Sequence, residues 1–590
     1  VERISIIEDM APQNSGTLID TDTLSVWAKS PANPASTGYT GKGVKIVVLD
    51  TGIDYTHADL GGPGTQEAFE KAKASDTIPE GTYDPKKFLG GYDLVGDDYN
   101  SGKKETSTPH PDNNPLDCGG HGSHVAGTAA GYGVNADGST FHGDYSKLTE
   151  EQLKDMKIGP GSAPDAQLIG LRIFGCKGTT AFVPKGLDRV LDPNDDGDFS
   201  DRADIANLSL GNEFGVFDET VNYAVGSLYR EGILSVVAAG NANNYNAVGD
   251  TYSNSGGPGT SAYGLTVANS IGSTQLVDRV KILAPANEAD TYGDYSVSFD
   301  YSKATKEQLR GTVVRAASRN RYACEAFTEE EAAALKGKWA LIDWADADGT
   351  APCGSKVRFD NLQAAGATGV VLTSNTEVGD TAIGGNSSIP GVRLSKSQVE
   401  RLSAQIDSGE LTLQLGENLR DSIRVPNGKL DQANTSTARG MHGSHGITKP
   451  DVAAPGTNIS SIEVGSGTGS SVKTGTSMST PFVAGVAALI MQAHPEYGPR
   501  MLKTVIMNTA DHHMQDAWGN PYAVDRVGTG RINTRAAVAD RVMLFNAARP
   551  EQVSDTFGVL EYTPNAGVQT LQHRVSVENT DSVAHTYTRN

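Results

Sequence analysis

The chain has 590 residues, enough for three or four domains of ordinary size. Its 71 acidic and 49 basic residues leave a formal charge of −22, which argues against nucleic acid and anionic membranes as partners. The 68 glycines and 37% hydrophobic content fit a globular protein rich in tight turns. No run reads as a membrane span, and Val1 in place of an initiating Met reads as a processed or trimmed chain.

Residues 1–40 are mixed and polar, with Trp27 the main apolar anchor, and are read as an arm on the domain that follows. Residues 44–49 are apolar except for Lys45, as in a central parallel strand. Asp50 stands at its carboxyl end, where sites gather in open α/β sheets. Residues 61–117 are polar, Gly/Pro-rich and unperiodic, and predict a long surface insertion. From Cys118 to Gly131 small residues dominate, which lets a helix approach its neighbours closely. A second polar insertion follows at about 134–163.

Strand signals at 167–174, 204–210, 233–239 and 265–268 then alternate with helix signals at 183–191 and 218–231. That rhythm predicts an α/β fold, a doubly wound, mostly parallel sheet with helices on both faces. Between about 278 and 426 the texture changes. Short strands at 339–343, 369–372 and 389–392, with helices at 356–365 and 395–407, predict an inserted, β-rich α+β domain. The first domain returns at Lys449-Pro450-Asp451 and closes after a helix at 499–510. The expected division is an arm at 1–40, an α/β domain at 41–277 with 427–542, an insert at 278–426, and a β-rich segment at 543–590 that opens a β-sandwich.

Within the returning part, Gly475-Thr476-Ser477-Met478-Ser479-Thr480-Pro481 leads into an apolar run from Phe482 to Met491. The run predicts a helix buried on every side, with Pro481 in its first turn. Ser477 would sit at the helix N-terminus, where free N–H groups and the helix dipole can hold an oxyanion. Taken alone, the stretch reads equally well as a Ser/Thr-rich helix cap.

Acyl transfer by serine needs a base and a carboxylate to orient it. His121 lies in a Gly-flanked turn entering a small-residue helix, Asp50 leaves a central strand, and Asn241 places an amide donor at another strand end. The order Asp, His, Asn, Ser and the residues around them resemble the subtilisin-like serine proteases. The matching segments are Val48-Leu49-Asp50-Thr51-Gly52-Ile53-Asp54, His121-Gly122-Ser123-His124-Val125-Ala126-Gly127-Thr128, Leu208-Ser209-Leu210-Gly211, Ala238-Ala239-Gly240-Asn241 and Gly475 to Pro481. The resemblance implies Ser477 as nucleophile, His121 as general base and then acid, Asp50 as its orienter, and Asn241 as oxyanion donor. It implies Ser209, Leu210 and Gly211 as a substrate-pairing strand and one pocket wall, with Ala238, Ala239 and Gly240 opposite. Small residues there imply an open, uncharged primary pocket and broad specificity. A metal shared by His121 and His124 is the weaker reading, since no carboxylate lies between them as zinc proteases require. A relic acting as a binding protein, and a serine esterase or peptide transferase using the same residues, are the rival functions.

Lys336 to Asp343, Cys353 and Ala364 to Leu372 resemble a protease-associated domain, which implies a lid or substrate-contacting module. Four cysteines allow three connectivities. They fall as Cys118 with Cys176 and Cys324 with Cys353, so a bridge is expected within each domain, as in an oxidising, extracellular compartment. Asp192, Asn194, Asp196, Asp198 and Asp201 space oxygens as in the first half of a calcium loop, although Ala203 stands where a bidentate Glu belongs. The expectation is a secreted, monomeric serine endopeptidase of proteins and peptides, with a structural Ca²⁺, no nucleic-acid partner and no membrane span.

Overall fold

A computed structural model describes residues 13–28, 38–212, 220–242, 257–345, 352–374, 383–420, 423–440, 447–557, 567, 568, 570–584 and 586. The first two residues of the helix expected at 218–231, and parts of the arm and of the C-terminal segment, lie outside them. Two compact units are present, one built from 11–273 and 428–590, the other containing 274–427.

The larger unit carries a seven-stranded sheet. Its strands are β1 (Lys45–Asp50), β2 (Phe88–Asp93), β3 (Gln167–Arg172), β4 (Ile205–Leu208), β5 (Leu234–Ala238), β6 (Leu265–Ser270) and β7 (Val452–Pro455). They lie in the order β7-β6-β5-β4-β1-β3-β2, and every pairing is parallel. The chain leaves β1 toward one edge, returns through β3, and resumes on the other side of β1 at β4. The carboxyl ends of β1, β4 and β5 therefore lie side by side where the winding reverses, the place where α/β sheets form their crevice.

Both sheet faces are covered, which is why the strands read as near-continuous apolar runs. Ile46, Val48, Ile205, Val236 and Val267 face the helices His121–Ala130 and Thr476–Ala493 through Val125, Ala129, Phe482, Val486 and Leu489. Val47, Leu49, Leu171, Ala206 and Val237 face the helices Val183–Asp188 and Thr220–Arg230 through Leu187, Val225 and Leu228. Among the described residues, Thr476–Ala493 is the one helix long and apolar enough to cross a membrane, and it is 78% buried inside the unit. It is a core helix.

Three elements differ from the sequence reading. The polar stretch 61–117 supplies the edge strand β2 and a helix, Gln66–Lys73. Gly91 has φ 154° and its α-carbon abuts the Gly170 backbone, where a Cβ would lie 1.8 Å from the carbonyl oxygen, so β2 needs the glycine that disguises it as loop. The stretch 134–163 holds a short capped helix, Glu150–Lys154. Pro481 is the sixth residue of its helix, beyond the first turn.

Trp27 of the arm is fully buried and donates its indole N–H to Ser162 O at 3.1 Å. Toward the C-terminus, Val542–Asn546 pairs antiparallel with Val575–Asn579. The second unit is an eight-stranded sheet in which Thr412–Gln414 pairs with both Arg310–Arg315 and Thr274–Ala284, so that the sheet closes on itself. Cys324 and Cys353 are bridged within it.

Candidate active site

Strand β1 is apolar and fully buried from Ile46 to Leu49 and delivers Asp50, whose side chain is 2% exposed, to the carboxyl edge. His121 Nδ1 lies 2.8 Å from Asp50 Oδ1 and 2.9 Å from Oδ2. The imidazole keeps a third of its surface exposed. The approach of the two segments depends on Gly122, where a Cβ would meet Gly52 O at 2.1 Å. Thr51 Oγ1 accepts the Gly122 N–H at 2.9 Å and fastens the same junction.

The start of the His121 helix is capped by a residue upstream. Asp117 Oδ1 accepts the N–H groups of Gly119 and Gly120 at 2.8 and 2.9 Å, and Oδ2 accepts the Ser123 N–H and hydroxyl at 2.9 and 2.6 Å. Next to it, Cys118 is bridged to Cys176, which follows β3. Burial opposes a charge on His121, but the Asp50 charge and hydrogen bond outweigh it, with help from Asp117, and the His121 pKa is raised.

Ser477 is the second residue of the helix Thr476–Ala493, and its Oγ donates to Ser209 O at 3.2 Å. Asn241 Oδ1 accepts the Thr476 N–H at 3.0 Å. Ser209, Leu210, Gly211, Gly240, Asn241 and Ser477 line a common cavity of about 320 Å³, together with Asn212, Ala238, Ala242 and Thr476. Among the described residues no charged side chain borders it. A second cavity of about 780 Å³ shares Leu210 to Asn212 and is walled by Phe174, Val183, Pro184, Val221 and Pro258.

Ala239 is a correction. Its side chain is fully buried and its N–H donates to Val267 O, while Ala238 and Gly240 line the cavity. Alternation along an extended chain puts 238 and 240 on one side and 239 on the other. His124 is buried, with Nε2 on Ile459 O at 2.9 Å, and among the described residues no group of three ligand-type side chains includes it with His121. Among the described residues one trio of ligand-type atoms lies within 4.8 Å, that of Asp97, Cys118 and Cys176, and its two sulfurs form the disulfide.

The acidic loop is arranged differently from a closed cation cage. Asp192 accepts the N–H groups of Asp196 and Gly197, and Asp196 and Asp198 accept those of Asp198 and Ser200. Asp201 Oδ1 is buried without a partner, and burial together with Asp196 and Asp192 raises its pKa, a strain a cation would relieve. No three carboxylates of the loop come within 4.8 Å of one another, so a cation would have to draw them inward.

The subtilase family model matches residues 41–530. The chain belongs to the subtilase family. This subtilase is 28% identical over 566 residues to the minor extracellular protease Vpr of Bacillus subtilis, covering 93% of the chain and 57% of Vpr. It is 27% identical to the PI-type proteinase of Lactococcus lactis subsp. cremoris, over 85% of the chain and 26% of that protein. It is 24% identical to a C5a peptidase of Streptococcus pyogenes, over 98% of the chain and 47% of the relative. The subtilase thus spans about half or less of the length of these relatives. Asp117, Thr51 and Thr476 act on the site and were not singled out from sequence. The one signal for Asp117 is an acid four residues before His121 in a Gly-rich helix entry.

Proposed function

We propose that the chain is a serine endopeptidase that hydrolyses peptide bonds through an acyl-enzyme. The observation that carries this reading is His121 Nδ1 seated on both Asp50 oxygens, at the sheet edge that also bears the Ser477 helix terminus. Asp50 holds the imidazole in the tautomer whose Nε2 faces away and is free to take a proton. His121 would accept the Ser477 proton as the hydroxyl attacks the carbonyl, then return it to the leaving amine. The developing oxyanion would be met by the Ser477 N–H at the helix terminus and by Asn241 Nδ2, the donor end of an amide whose Oδ1 is anchored on Thr476.

The extended substrate would add as a strand along Ser209, Leu210 and Gly211. A cavity of about 320 Å³ whose described lining is uncharged suits broad specificity with an apolar side chain before the scissile bond. The unit containing 274–427 is proposed as a protease-associated module, and the two disulfides and the extracellular name of the Vpr relative favour a secreted enzyme. Ca²⁺ is proposed at 192–201, tested by chelation, with an unchanged melting temperature counting against it.

A fluorophosphonate should label Ser477 stoichiometrically, and the labelled protein should lose all cleavage of a mixed peptide pool. A binding relic would take no label. Faster release from esters with no amide cleavage would favour an esterase.

A further inference from the structure

Pro481 creates a problem inside the helix that carries Ser477. A helical carbonyl is normally met by the N–H four residues on, and for Ser477 that residue is Pro481, which has none. The Ser209 hydroxyl fills the place, donating to Ser477 O at 2.9 Å. Its proton is thereby committed, so Ser209 Oγ has only lone pairs left to offer. Asn207 Nδ2 donates to it at 3.0 Å. Asn207 is fully buried and Ser209 is 4% exposed. Among the described residues Asn207 Oδ1 has no partner, and Ser209 is the hydrogen-bond contact that orients the amide.

Side chains meet the peptide groups around Ser477. The Thr476 N–H goes to Asn241, the Thr476 carbonyl accepts the Thr480 hydroxyl at 2.7 Å, and the Ser477 carbonyl has Ser209. Ser477 Oγ also rests on Ser209 O at 3.2 Å, so residue 209 meets Ser477 at two points. We infer that Ser209, backed by Asn207, is a positioning residue that fixes the peptide plane of Ser477 and hence the direction of its hydroxyl. The inference rests on the reading of Ser477 as nucleophile. It assigns a role to the side chains of a strand otherwise read as a main-chain partner for substrate.

The tests are Ser209→Ala, Ser209→Thr and Asn207→Ala in the full chain, with steady-state cleavage of an amide substrate and the rate of fluorophosphonate labelling. Ser209→Ala should lower kcat and the labelling rate ~10–100-fold with KM within about twofold, the scale expected of a nucleophile misplaced by a fraction of an ångström. The acid limb of the pH profile should not move, since His121 and Asp50 are untouched. Ser209→Thr, which keeps the hydroxyl, should recover most of the loss. Asn207→Ala should lose less, and the double variant should lose no more than Ser209→Ala alone, because the two side chains act in series. A Ser209→Ala enzyme with unchanged kcat, or a loss confined to KM, would overturn the inference. If Ser209→Ala does not fold, Asn207→Ala alone decides, an unchanged kcat again overturning it. A wild-type chain that takes no label would sink the nucleophile reading itself, a distinct outcome.

Discussion

Asn241 accepts the main-chain N–H of Thr476 on its carboxamide oxygen at 3.0 Å, and the Thr476 hydroxyl reaches the same oxygen at 3.3 Å. The amide is thereby held with its oxygen on Thr476, and Asn241 lines the same cavity as Ser477. Under the proposed function Asn241 would be an oxyanion donor set before substrate arrives, which is what makes such a donor effective on a charge that develops only in the transition state. Asn241→Ala should cost about 10²–10³ in kcat with little change in KM. Asn241→Asp should fare no better, since a carboxylate has no N–H to give. A kcat within threefold of wild type in Asn241→Ala would exclude the role.

The pH profile tests the Asp50 and His121 pair. A general base must be neutral to work, and here burial is outweighed by Asp50, so the His121 pKa lies above the ordinary value of 6.5. The acid limb of kcat/KM should therefore fall at a pH above 6.5, not at it. Replacing Asp50 with Asn removes the charge and leaves burial, which lowers the pKa, so the residual activity should show a limb below 6.5. The level of that activity should be lower by roughly 10⁴-fold. A wild-type limb below 6.5 would contradict the paired geometry.

Asp117 makes a prediction that joins stability to the site. Its carboxylate serves three main-chain N–H groups and one hydroxyl at the entry of the His121 helix. Asp117→Ala strips these buried donors of their acceptor, which should cost about 1–3 kcal/mol in denaturant unfolding. The substitution also removes a negative charge that helps raise the His121 pKa, so the acid limb should slip toward lower pH. A variant with wild-type stability would show that water replaces the cap freely.

Much of this was legible because the physics is local. Strands buried on both faces must be apolar runs, and Asp50 interrupts one at its end, so β1 announced itself. The helix of Ser477 is apolar on all sides for the same reason. What failed was decided by backbone contacts the sequence does not display. Gly91 is a strand residue because the Gly170 carbonyl presses on it, yet in sequence it looks like a loop glycine. Pro481 reads in sequence as a first-turn proline, but it lies deeper in the helix, and the Ser477 carbonyl it leaves unmet is filled by Ser209, just past β4 and 268 positions before Ser477. Ala239 reads in sequence as part of the cavity wall with its neighbours, but an extended chain presents only every second residue to one side.

Two buried histidines predict acid sensitivity. His57 accepts the Asp59 N–H on Nδ1 at 3.1 Å and has Nε2 on Gly469 O at 3.0 Å, so the ring is fully used in its neutral form. His124 sits fully buried with Nε2 on Ile459 O, and burial is the largest influence on its charge, outweighing the two backbone carbonyls, of Ile459 and Ser471, that favour a proton. Burial lowers their pKa values to about 4 and about 3. An unfolded histidine titrates near 6.5, so between there and pH 4 the unfolded chain binds protons the native state refuses. Stability is complete above 6.5 and is lost as pH falls, by an amount on the order of 3 kcal/mol for each ring at pH 4. Asp54 and Asp59, whose pKa values burial raises to about 6 and about 7, pull the other way over the same range. The test must therefore be a difference. His124→Gln keeps an N–H that can reach Ile459 O and cannot titrate, so its stability relative to wild type should improve steadily from pH 6.5 to pH 4. A gap between the two proteins that stays constant across that range would mean that His124 becomes protonated in the native fold at little cost.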